Sequence, residues 1–425
     1  MSVNRLEQAC AALPDDWLRP ARSAAIERFV AAGFPSTRHE DWKYTDLTPV
    51  AERSLAYLTT SEPTSTRDVP LPTDYGDSYR LLFVNGRLAP GQTLPAVAGL
   101  SLVDLAGADP ASRQRILERL QSMKADPAAD LAALNAAFIS GGLWVEVEAG
   151  ARIQQPLEVL MQADGSPVAA QPRLFVSAGA NSEFTVIEHY TGSGKALTNA
   201  VTDLHCANGA RLCDAKVQAE SVNSHHVALQ RLVLERDSHV ELVHLDLGGA
   251  LSRNDLQVEL AAPGAEIGIH GLFVADGNAH VDNHTRMDHL APNTRSREIF
   301  RGIAANGGQG VFNGKIVVHE GADGTDAGLS NRNLLLSKTA EIDTKPELEI
   351  YADDVKCAHG ATTGQLDANA LFYLRSRGLG EAEARSVLVN AFAREILERI
   401  PLARLREHVE QGLEHRLARD AESTR

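Results

Sequence analysis

The fold is decided by a short turn that recurs seven times between residues 149 and 324. Its copies read AGARI (149–153), AGANSEF (178–184), NGARL (208–212), RDSHV (236–240), PGAEI (263–267), PNTRS (292–296) and EGADG (320–324). Their central residues, which lie 29, 30, 28, 27, 29 and 28 residues apart, are Gly150, Gly179, Gly209, Asp237, Gly264, Asn293 and Gly321. Glycine, Asp and Asn are the residues that most readily adopt positive φ. The pattern predicts a repeat of about 28 residues with one fixed corner.

The segments between these corners alternate apolar and polar residues as strands do, for example LWVEVE (143–148), FTVI (184–187) and IVVH (316–319). A single coil of this length cannot bury its own interior, so stacking on its neighbours must supply the core. A β-propeller has a longer repeat, of about 40–45 residues, and a β-sandwich needs no fixed period. We therefore predict a mainly β protein, a β-solenoid with about 28 residues per coil.

Composition divides the chain into three predicted domains. Residues 1–140 form an N-terminal helical region that includes a Pro-, Ser- and Thr-rich linker at 61–75 and a hairpin around Asn85-Gly86. Residues 141–365 form the β-helix core, and residues 366–425 form a C-terminal helical domain.

Two amphipathic helices are predicted in the C-terminal domain. Leu388, Phe392, Ile396 and Ile400 recur at steps of four residues, and Pro401 separates them from a second apolar stripe that begins at Leu402. We expect both stripes to lack an internal partner. Leu388, Phe392 and Ile396 are therefore predicted to bind another protein.

Charge and hydropathy exclude several classes of function. The chain has 41 Lys and Arg against 56 Asp and Glu, a net charge of −15, which argues against nucleic acid or an anionic membrane as the main partner. No run of about 18 apolar residues predicts a membrane span. The first 14 residues have no secretory signal, and four scattered cysteines make no disulfide framework. We expect a cytoplasmic protein with reduced thiols.

The most informative candidate site is Cys357-Ala358-His359. Residues two apart on a strand point to the same side, and a thiolate with an imidazole suits iron, zinc or copper(I). The pair follows the last counted turn, where a solenoid exposes unpaired backbone groups for capping or for pairing with another protein. A half-site at such an edge is what a shared metal or cluster needs. The alternative is a buried structural Cys beside a surface His.

Other candidates carry weaker signals. Twelve of the fifteen histidines lie between His189 and His359, but they form no three-His pattern. Cys206 and Cys213 are read as buried thiols, with sulfur relay as the minority interpretation. Asp353-Asp354 would serve a carbohydrate-cleaving solenoid only if the two carboxylates converged, and adjacent strand residues diverge.

The stretch 312–367 resembles the signature region of the SufB/SufD family of iron–sulfur cluster assembly proteins. Within it, the segment 331–362, which ends in KCAHGAT, and LFYLRSRGL (371–379) resemble the SufD branch. HEDWKYT (39–45) is similar to the family's entry motif, LNAAFISGG (134–142) to the lead-in to its β-helix, and ARSVLVNAFAREIL (384–397) to its helical tail. The resemblance covers nearly the whole chain.

The resemblance implies a right-handed parallel β-helix with helical domains at both ends. It further implies a non-catalytic scaffold subunit that pairs with SufB and binds the ATPase SufC through its C-terminal helices. His359 matches a residue implicated at the SufB–SufD interface, and Cys357 is its neighbour. The implied cargo is a transient iron–sulfur cluster or iron shared with SufB. A reduced flavin is associated with the whole complex, but nothing in the sequence locates it.

These observations lead to one hypothesis and two alternatives. The hypothesis is that the last coils dock edge to edge on SufB, with His359 and Cys357 completing a ligand set there, while SufC acts on the C-terminal helices. The alternatives are a carbohydrate-binding or -cleaving solenoid and an adaptor that contacts no ligand. The sequence leaves open whether the isolated chain forms a homodimer through the same bare edge.

Overall fold

The computed structural model describes residues 4–58, 75–121, 127–165 and 167–423 of the 425-residue chain. The predicted linker at 61–75 lies outside the described residues except for Tyr75. The described α-helices are α1 (Asn4–Ala11), α2 (Arg19–Ala32), α3 (Thr48–Leu58), α4 (Pro110–Gln121), α5 (Pro127–Ala137), α6 (Ala368–Ser376), α7 (Glu381–Leu397) and α8 (Ala403–Ser423). None of them is long and apolar enough to cross a membrane.

Among the described residues, twenty strands lie between α3 and α6, interrupted by α4 and α5. They are β1 (Tyr79–Val84), β2 (Arg87–Leu88), β3 (Leu100–Asp104), β4 (Leu143–Val147), β5 (Leu157–Ala163), β6 (Val168–Ala170), β7 (Arg173–Ala178), β8 (Glu183–Gly192), β9 (Ala196–Cys206), β10 (Arg211–Gln218), β11 (His225–Leu234), β12 (His239–Asp246), β13 (Leu251–Leu260), β14 (Glu266–Asp276), β15 (His280–His289), β16 (Arg295–Ala305), β17 (Gln309–Val318), β18 (Asp326–Leu335), β19 (Glu341–Ile350) and β20 (Lys356–Gly364).

The strands form two ten-stranded sheets that face each other across one core. Sheet A has the order β2-β1-β5-β8-β10-β12-β14-β16-β18-β20, and sheet B runs β19-β17-β15-β13-β11-β9-β7-β4-β3, with β6 paired to β9. From β7 onward the chain alternates between the sheets, and each strand pairs in parallel with its equivalent in the next coil. The predicted parallel β-solenoid is confirmed, with about 8 turns of about 29 residues.

One corner of every coil is held in the left-handed region of φ. The residues with positive φ at this corner are Gly150, Asn181, Gly209, Asp237, Gly264, Asn293, Gly321, Gly324 and Asp354, of which Gly321 and Gly324 share one turn. The sequence interpretation was wrong for Gly179, since the corner falls on Asn181, where φ is 56°. Gly179 is required for a different reason, because a Cβ there would lie 2.6 Å from the carbonyl oxygen of Val147.

The core is aliphatic over most of its length and changes character near one end. In sheet A, Leu212, Val240 and Ile267 stack in register on three successive coils. Further along, three rings fill the interior, and we call Phe273, Phe300 and Phe312 the aromatic layer. The rings of Phe300 and Phe312 are 4.6 Å apart between centroids. Glycines opposite these rings leave the space that they occupy.

The N-terminal end of the solenoid is closed by antiparallel strands. The predicted hairpin is confirmed, because β1 and β2 are joined by Asn85 and Gly86 at φ of 51° and 83°. β1 also pairs in parallel with β5, and β3 closes sheet B by antiparallel pairing with β4. Strands from before residue 140 therefore extend both sheets, whereas the division into three domains stays a prediction.

The C-terminal end of the solenoid is open. β20 pairs only with β18, and β19 pairs only with β17, within the part of the chain that the structure describes. Both last strands therefore present a row of unpaired backbone groups. The two ends of the solenoid differ, since the short antiparallel strands β2 and β3 end the sheets at the first and the longer parallel strands β20 and β19 end them at the second.

The expectation that the C-terminal stripes lack an internal partner was wrong. Ile396 is fully buried in a cluster with solenoid residues such as Leu272 and Ile303, and the half-buried Phe392 packs against the same cluster. Leu405 and Val409 of α8 complete it. The apolar faces of α7 and α8 therefore cover the outer face of sheet A. An apolar stripe shows that a surface is covered, and it does not show by which chain.

We expect Gly302→Ala to destabilise the protein by about 1–3 kcal/mol, because its Cβ would collide with the buried ring of Phe273 in the aromatic layer. Chemical denaturation measures the change in the free energy of unfolding. Gly328→Ala is the matched control, since a Cβ there makes only ordinary contact with Arg297, at 3.4 Å. Equal stability of the two variants would contradict the tight packing of the layer.

Candidate functional site

Cys357 and His359 lie on the last strand of sheet A, at the open end of the solenoid. In the register between β18 and β20, Cys357 is opposite Ala327 and His359 is opposite Leu329. Ala327 and Leu329 both belong to the solenoid core. Since strand residues of the same parity share a face, the thiol and the imidazole both lie on the interior side of the last coil. We call this open end of the interior the mouth.

The two candidate ligands differ in exposure. Cys357 is half-buried and packs against the edge of the core, and burial raises the pKa of its thiol. His359 is exposed, and its ring makes no hydrogen bond with another described residue. The imidazole is therefore accessible for coordination. The thiol would have to lose its proton to bind a metal.

Polar side chains lie one coil below this pair. Asn331 and Asn333 exchange hydrogen bonds of 3.1 and 2.6 Å, and the Thr344 hydroxyl donates to Asn331 at 2.9 Å. Among the described residues, no three His, Cys, Asp or Glu side chains are placed to hold a metal ion together. At the mouth the described residues thus offer at most two protein ligands.

Apolar side chains are exposed in the segment that contains the last coil and α6. The exposed fractions are 44% for Ile350, 60% for Tyr351, 74% for Phe372 and 57% for Tyr373. Exposed large side chains beside an unpaired sheet edge are typical of a protein–protein contact surface. Sequence analysis missed these aromatic residues, because it assigned no apolar face to α6.

The predicted partner-binding residues fall on different faces of α7. Ile396 and part of Phe392 face the solenoid, and Leu388 is half-buried. The outward face instead carries Val387, which is 44% exposed, and Ala391. Together with Arg394, Glu398, Arg406 and Glu410, these two residues border a groove of about 600 Å³ between α7 and α8. A partner of these helices would meet this groove rather than the buried stripe.

The remaining cysteines are poor nucleophiles where they lie. Cys206 is buried in the core, and burial raises its pKa to about 12. Burial likewise raises the pKa of Cys213 to about 12. Cys213 has the opposite parity to the core residue Leu212, so its side chain lies on the outer side of sheet A. The two thiols are therefore on opposite sides of the solenoid wall, which does not favour sulfur relay between them.

The other candidates serve local structure. Asp354 occupies the last corner at positive φ, and Asp353 beside it is exposed, so these carboxylates belong to a turn. The His289 ring bonds Thr294 at 2.8 Å and Ser296 at 3.0 Å. His319 contacts the carboxylate of Asp288 at 2.8 Å.

The HEDWKYT motif anchors the N-terminal segment to the outer face of sheet B. Trp42 is buried under the guanidinium of Arg253, 4.1 Å from its ring centroid, and Arg253 donates to the Asp41 carbonyl at 2.9 Å. Arg253 also pairs with Asp282 at 2.5 Å, and the Thr45 hydroxyl donates to Asp282. Although burial alone would raise it, the pKa of Asp282 is held far below its usual value, chiefly by Arg253.

Sequence analysis missed this buried ion pair. One feature of the sequence could have indicated it. Arg253 is charged, although it occupies the position in β13 that pairs with the apolar Val227 in β11. The same register places Arg253 opposite Asp282 of β15. A partly enclosed cavity of about 320 Å³ adjoins the anchor, between the motif and the side chains of Lys315 and Lys345.

Comparison with known proteins identifies relatives over nearly the whole chain. The family model described as "SUF system FeS cluster assembly, SufBD core domain" matches residues 159–392, and the model of the SufBD protein N-terminal region matches residues 5–159. An iron–sulfur cluster assembly SufBD family protein of Synechocystis is 31% identical over 416 residues, covering 93% of this chain and 90% of the relative. The iron–sulfur cluster assembly protein SufD of Escherichia coli is 32% identical over 404 residues, covering 94% and 93%.

We expect thiol alkylation at about pH 8 to modify Cys357 before Cys206 and Cys213, by a factor of about ten or more, because only thiolates react and burial holds the latter two protonated. Mass spectrometry of the digested protein locates the label. Cys357→Ser removes the fast phase as a control. Labelling of Cys206 before Cys357 would contradict this expectation, because it would show that reagent reaches the interior of the solenoid.

Proposed function

Since the chain belongs to the SufBD family of iron–sulfur cluster assembly proteins, we propose that it is a SufD-like subunit of a SUF complex. In this proposal the subunit forms, together with SufB, the interface at which a nascent cluster or its iron is held. It acts as a non-catalytic scaffold in the cytoplasm, and ATP hydrolysis belongs to the partner SufC. A reduced flavin in the complete complex is assigned to no residue of this chain.

The observation that carries the proposal is the open C-terminal end of the solenoid. β19 and β20 have unpaired edges, while β2 and β3 close the opposite end. A second parallel solenoid can continue both sheets by adding its own strands to these edges. Exposed Tyr351 and Phe372 supply apolar contact area in the same part of the chain. SufB is the proposed occupant. When SufB is absent, a second copy of this chain would occupy the same edge.

Cys357 and His359 are the proposed ligands at that interface. They lie on the interior side of the last coil, so a docked partner would cover them and exclude water. A soft thiolate and an imidazole suit iron, and two ligands are too few for a closed site. We therefore propose that a thiolate of SufB completes the ligand set. The cluster or iron is cargo of the complex.

The C-terminal helices are the proposed docking site of SufC. The structure directs this proposal to the groove bordered by Val387 and Ala391, because Ile396 and much of Phe392 are covered by the solenoid. Arg301 of β16 pairs with Glu395 of α7, and the Arg385 guanidinium donates to the Leu336 carbonyl at 3.1 Å. These contacts join α7 to the last coils and support mechanical coupling between SufC and the mouth.

We expect His359→Ala to lower the iron and cluster content of the complex with SufB and SufC by about tenfold or more, because an accessible ligand is lost. Cluster-dependent absorbance and iron content after reconstitution measure the effect. Cys357→Ser should lower both as well.

Lys356→Ala is the matched control on the same strand, since its exposed side chain lies on the opposite face from Cys357. Full cluster content in His359→Ala, with the complex intact, would contradict the ligand role of His359. It would favour the alternative of an adaptor that contacts no ligand. Failure of the three proteins to co-purify would reject the interface itself.

We expect Val387→Asp to weaken binding of SufC by about tenfold, because a charge replaces an exposed apolar contact. Calorimetric titration of SufC into the purified protein, native or variant, measures the affinity. Ile396→Ala is the control for an effect on folding alone. Its side chain is buried against the solenoid, so its loss should lower the free energy of unfolding by about 2–5 kcal/mol. Unchanged SufC affinity in Val387→Asp would place the docking site elsewhere.

A further inference from the structure

The interior of the coils from β8 to β13 contains charged groups that the proposed function does not use. Four carboxyl groups and one ammonium group are buried there, with no more than 4% of any of these residues exposed. The acids are Glu188, Asp214, Glu220 and Asp246, and the base is Lys216. We call them the interior carboxyl cluster. Four carboxyl groups and one ammonium group leave an excess of negative charge in surroundings of low polarity. Hydrogen-bond donors, cations or bound protons must offset that charge.

Two of the four acids have compensating groups of their own. Glu220 accepts hydrogen bonds from Gln218, at 3.1 Å, and from Thr198, and its carboxylate is 2.8 Å from the His226 ring. Asp246 accepts on Oδ1 from Asn254 at 2.9 Å, and its Oδ2, which makes no hydrogen bond of ordinary geometry, interacts with the Asn283 amide. Burial opposes ionisation of Asp246, but His244 and Lys216 lower its pKa to about 2. These two acids are therefore ionised at neutral pH.

The other two acids face each other. Glu188 accepts two hydrogen bonds on one oxygen, Oε2, from the Tyr190 hydroxyl at 2.6 Å and the Thr202 hydroxyl at 2.7 Å. Asp214 accepts one hydrogen bond on Oδ2, from the Gln230 amide. The remaining oxygens, Glu188 Oε1 and Asp214 Oδ1, are buried and have no donor among the described residues.

A single proton satisfies both orphaned oxygens. In the register of β8 and β10, Glu188 is opposite Lys216, and Asp214 is two residues before Lys216 on the same interior face. Their carboxyl groups lie within hydrogen-bonding reach of each other. A proton on Asp214 Oδ1 turns that oxygen into a donor toward Glu188 Oε1, while Gln230, Tyr190 and Thr202 keep their own acceptors. Two carboxyl groups that share a site cannot both ionise without strong repulsion.

We propose that Asp214 and Glu188 form a proton-binding site inside the solenoid and share one proton at neutral pH. The site binds a proton and no larger ligand. It lies in the middle coils, and the aromatic layer separates it from the mouth. Its titration is therefore independent of metal binding by Cys357 and His359.

The surroundings of Asp214 support this assignment. Burial raises its pKa, and the charge of Glu188 raises it further, while Gln230 and Lys216 act in the opposite direction. The titratable groups that face or adjoin the pair are Glu188, Tyr190, Cys206, Cys213, Lys216, Glu220, His226, His244 and Asp246. The positive charge of Lys216 lowers the pKa of Asp214, but Asp246 and Glu220 interact with the same ammonium group.

The sign of the pH effect follows from the raised pKa. Asp214 keeps its proton in the folded protein at a pH where the unfolded chain has already lost it. This contribution to stability is complete below the ordinary aspartate pKa, near 3.9, and declines as pH rises toward the folded value. Within that window the unfolding constant should rise about tenfold per pH unit.

The test compares the same substitution at two buried aspartates. In Asp214→Asn the amide N–H replaces the shared proton, so we expect stability at neutral pH to be kept or increased. The ratio of the unfolding constants of native protein and variant should rise by up to about tenfold per unit from the ordinary aspartate pKa, near 3.9, up to the pH at which the folded pair loses its proton. Asp246→Asn, which removes a charge that Lys216 needs, should destabilise the protein throughout. Chemical denaturation at each pH measures all three proteins.

Infrared spectroscopy gives a second readout that does not depend on stability. The native protein at neutral pH should show the carbonyl band of a protonated carboxylic acid. The intensity of the band should fall in Asp214→Asn and be kept in Asp246→Asn, while the buried Glu298, whose pKa burial raises to about 7, contributes the remaining intensity in all three proteins. No loss of intensity in Asp214→Asn would contradict the proposal. A constant ratio of unfolding constants across the pH range, an Asp214→Asn chain that fails to fold, or a native spectrum without the band would each overturn the proposal.

Discussion

Parallel pairing of equivalent strands, about 4.8 Å apart in successive coils, is the constraint on which the rest of the structure depends. Because the register is one to one, each residue inherits its inward or outward direction from the residue below it. Cys357 lies above Ala327 and His359 above Leu329, so both candidate ligands share the interior side. The corners differ in length from coil to coil and absorb the difference, so that the paired strands keep the same face inward.

The same stacking makes the two ends chemically different. The first coils are closed by the hairpin of β1 and β2, while β19 and β20 are left without partners among the described strands. Between the ends, the interior carboxyl cluster is separated from the mouth by Phe273, Phe300 and Phe312. One continuous solenoid thereby holds charged groups that are sealed from solvent and a pair of ligands that is open to a partner.

Features that depend on neighbouring residues could be predicted from the sequence, and features that depend on packing could not. Asn85-Gly86 predicted its hairpin, and the parity of Cys357 and His359 predicted their common side, because both are local rules. Gly179 was misread because a glycine that permits positive φ and one that permits close backbone approach look the same in a sequence. Ile396 was misread because a helix stripe does not identify the surface that covers it.

The sequence by itself determined the parallel solenoid, its period and the position of the last coil, since a repeat of turns and alternating residues is written in the order of the chain. Only the tertiary structure decided which groups meet across coils. Asp214 contacts Glu188, and Arg253 joins Trp42 to Asp282, through registers between strands far apart in sequence. Such pairings depend on the register between strands, because a slip of one residue in that register would send the same side chains to the opposite face.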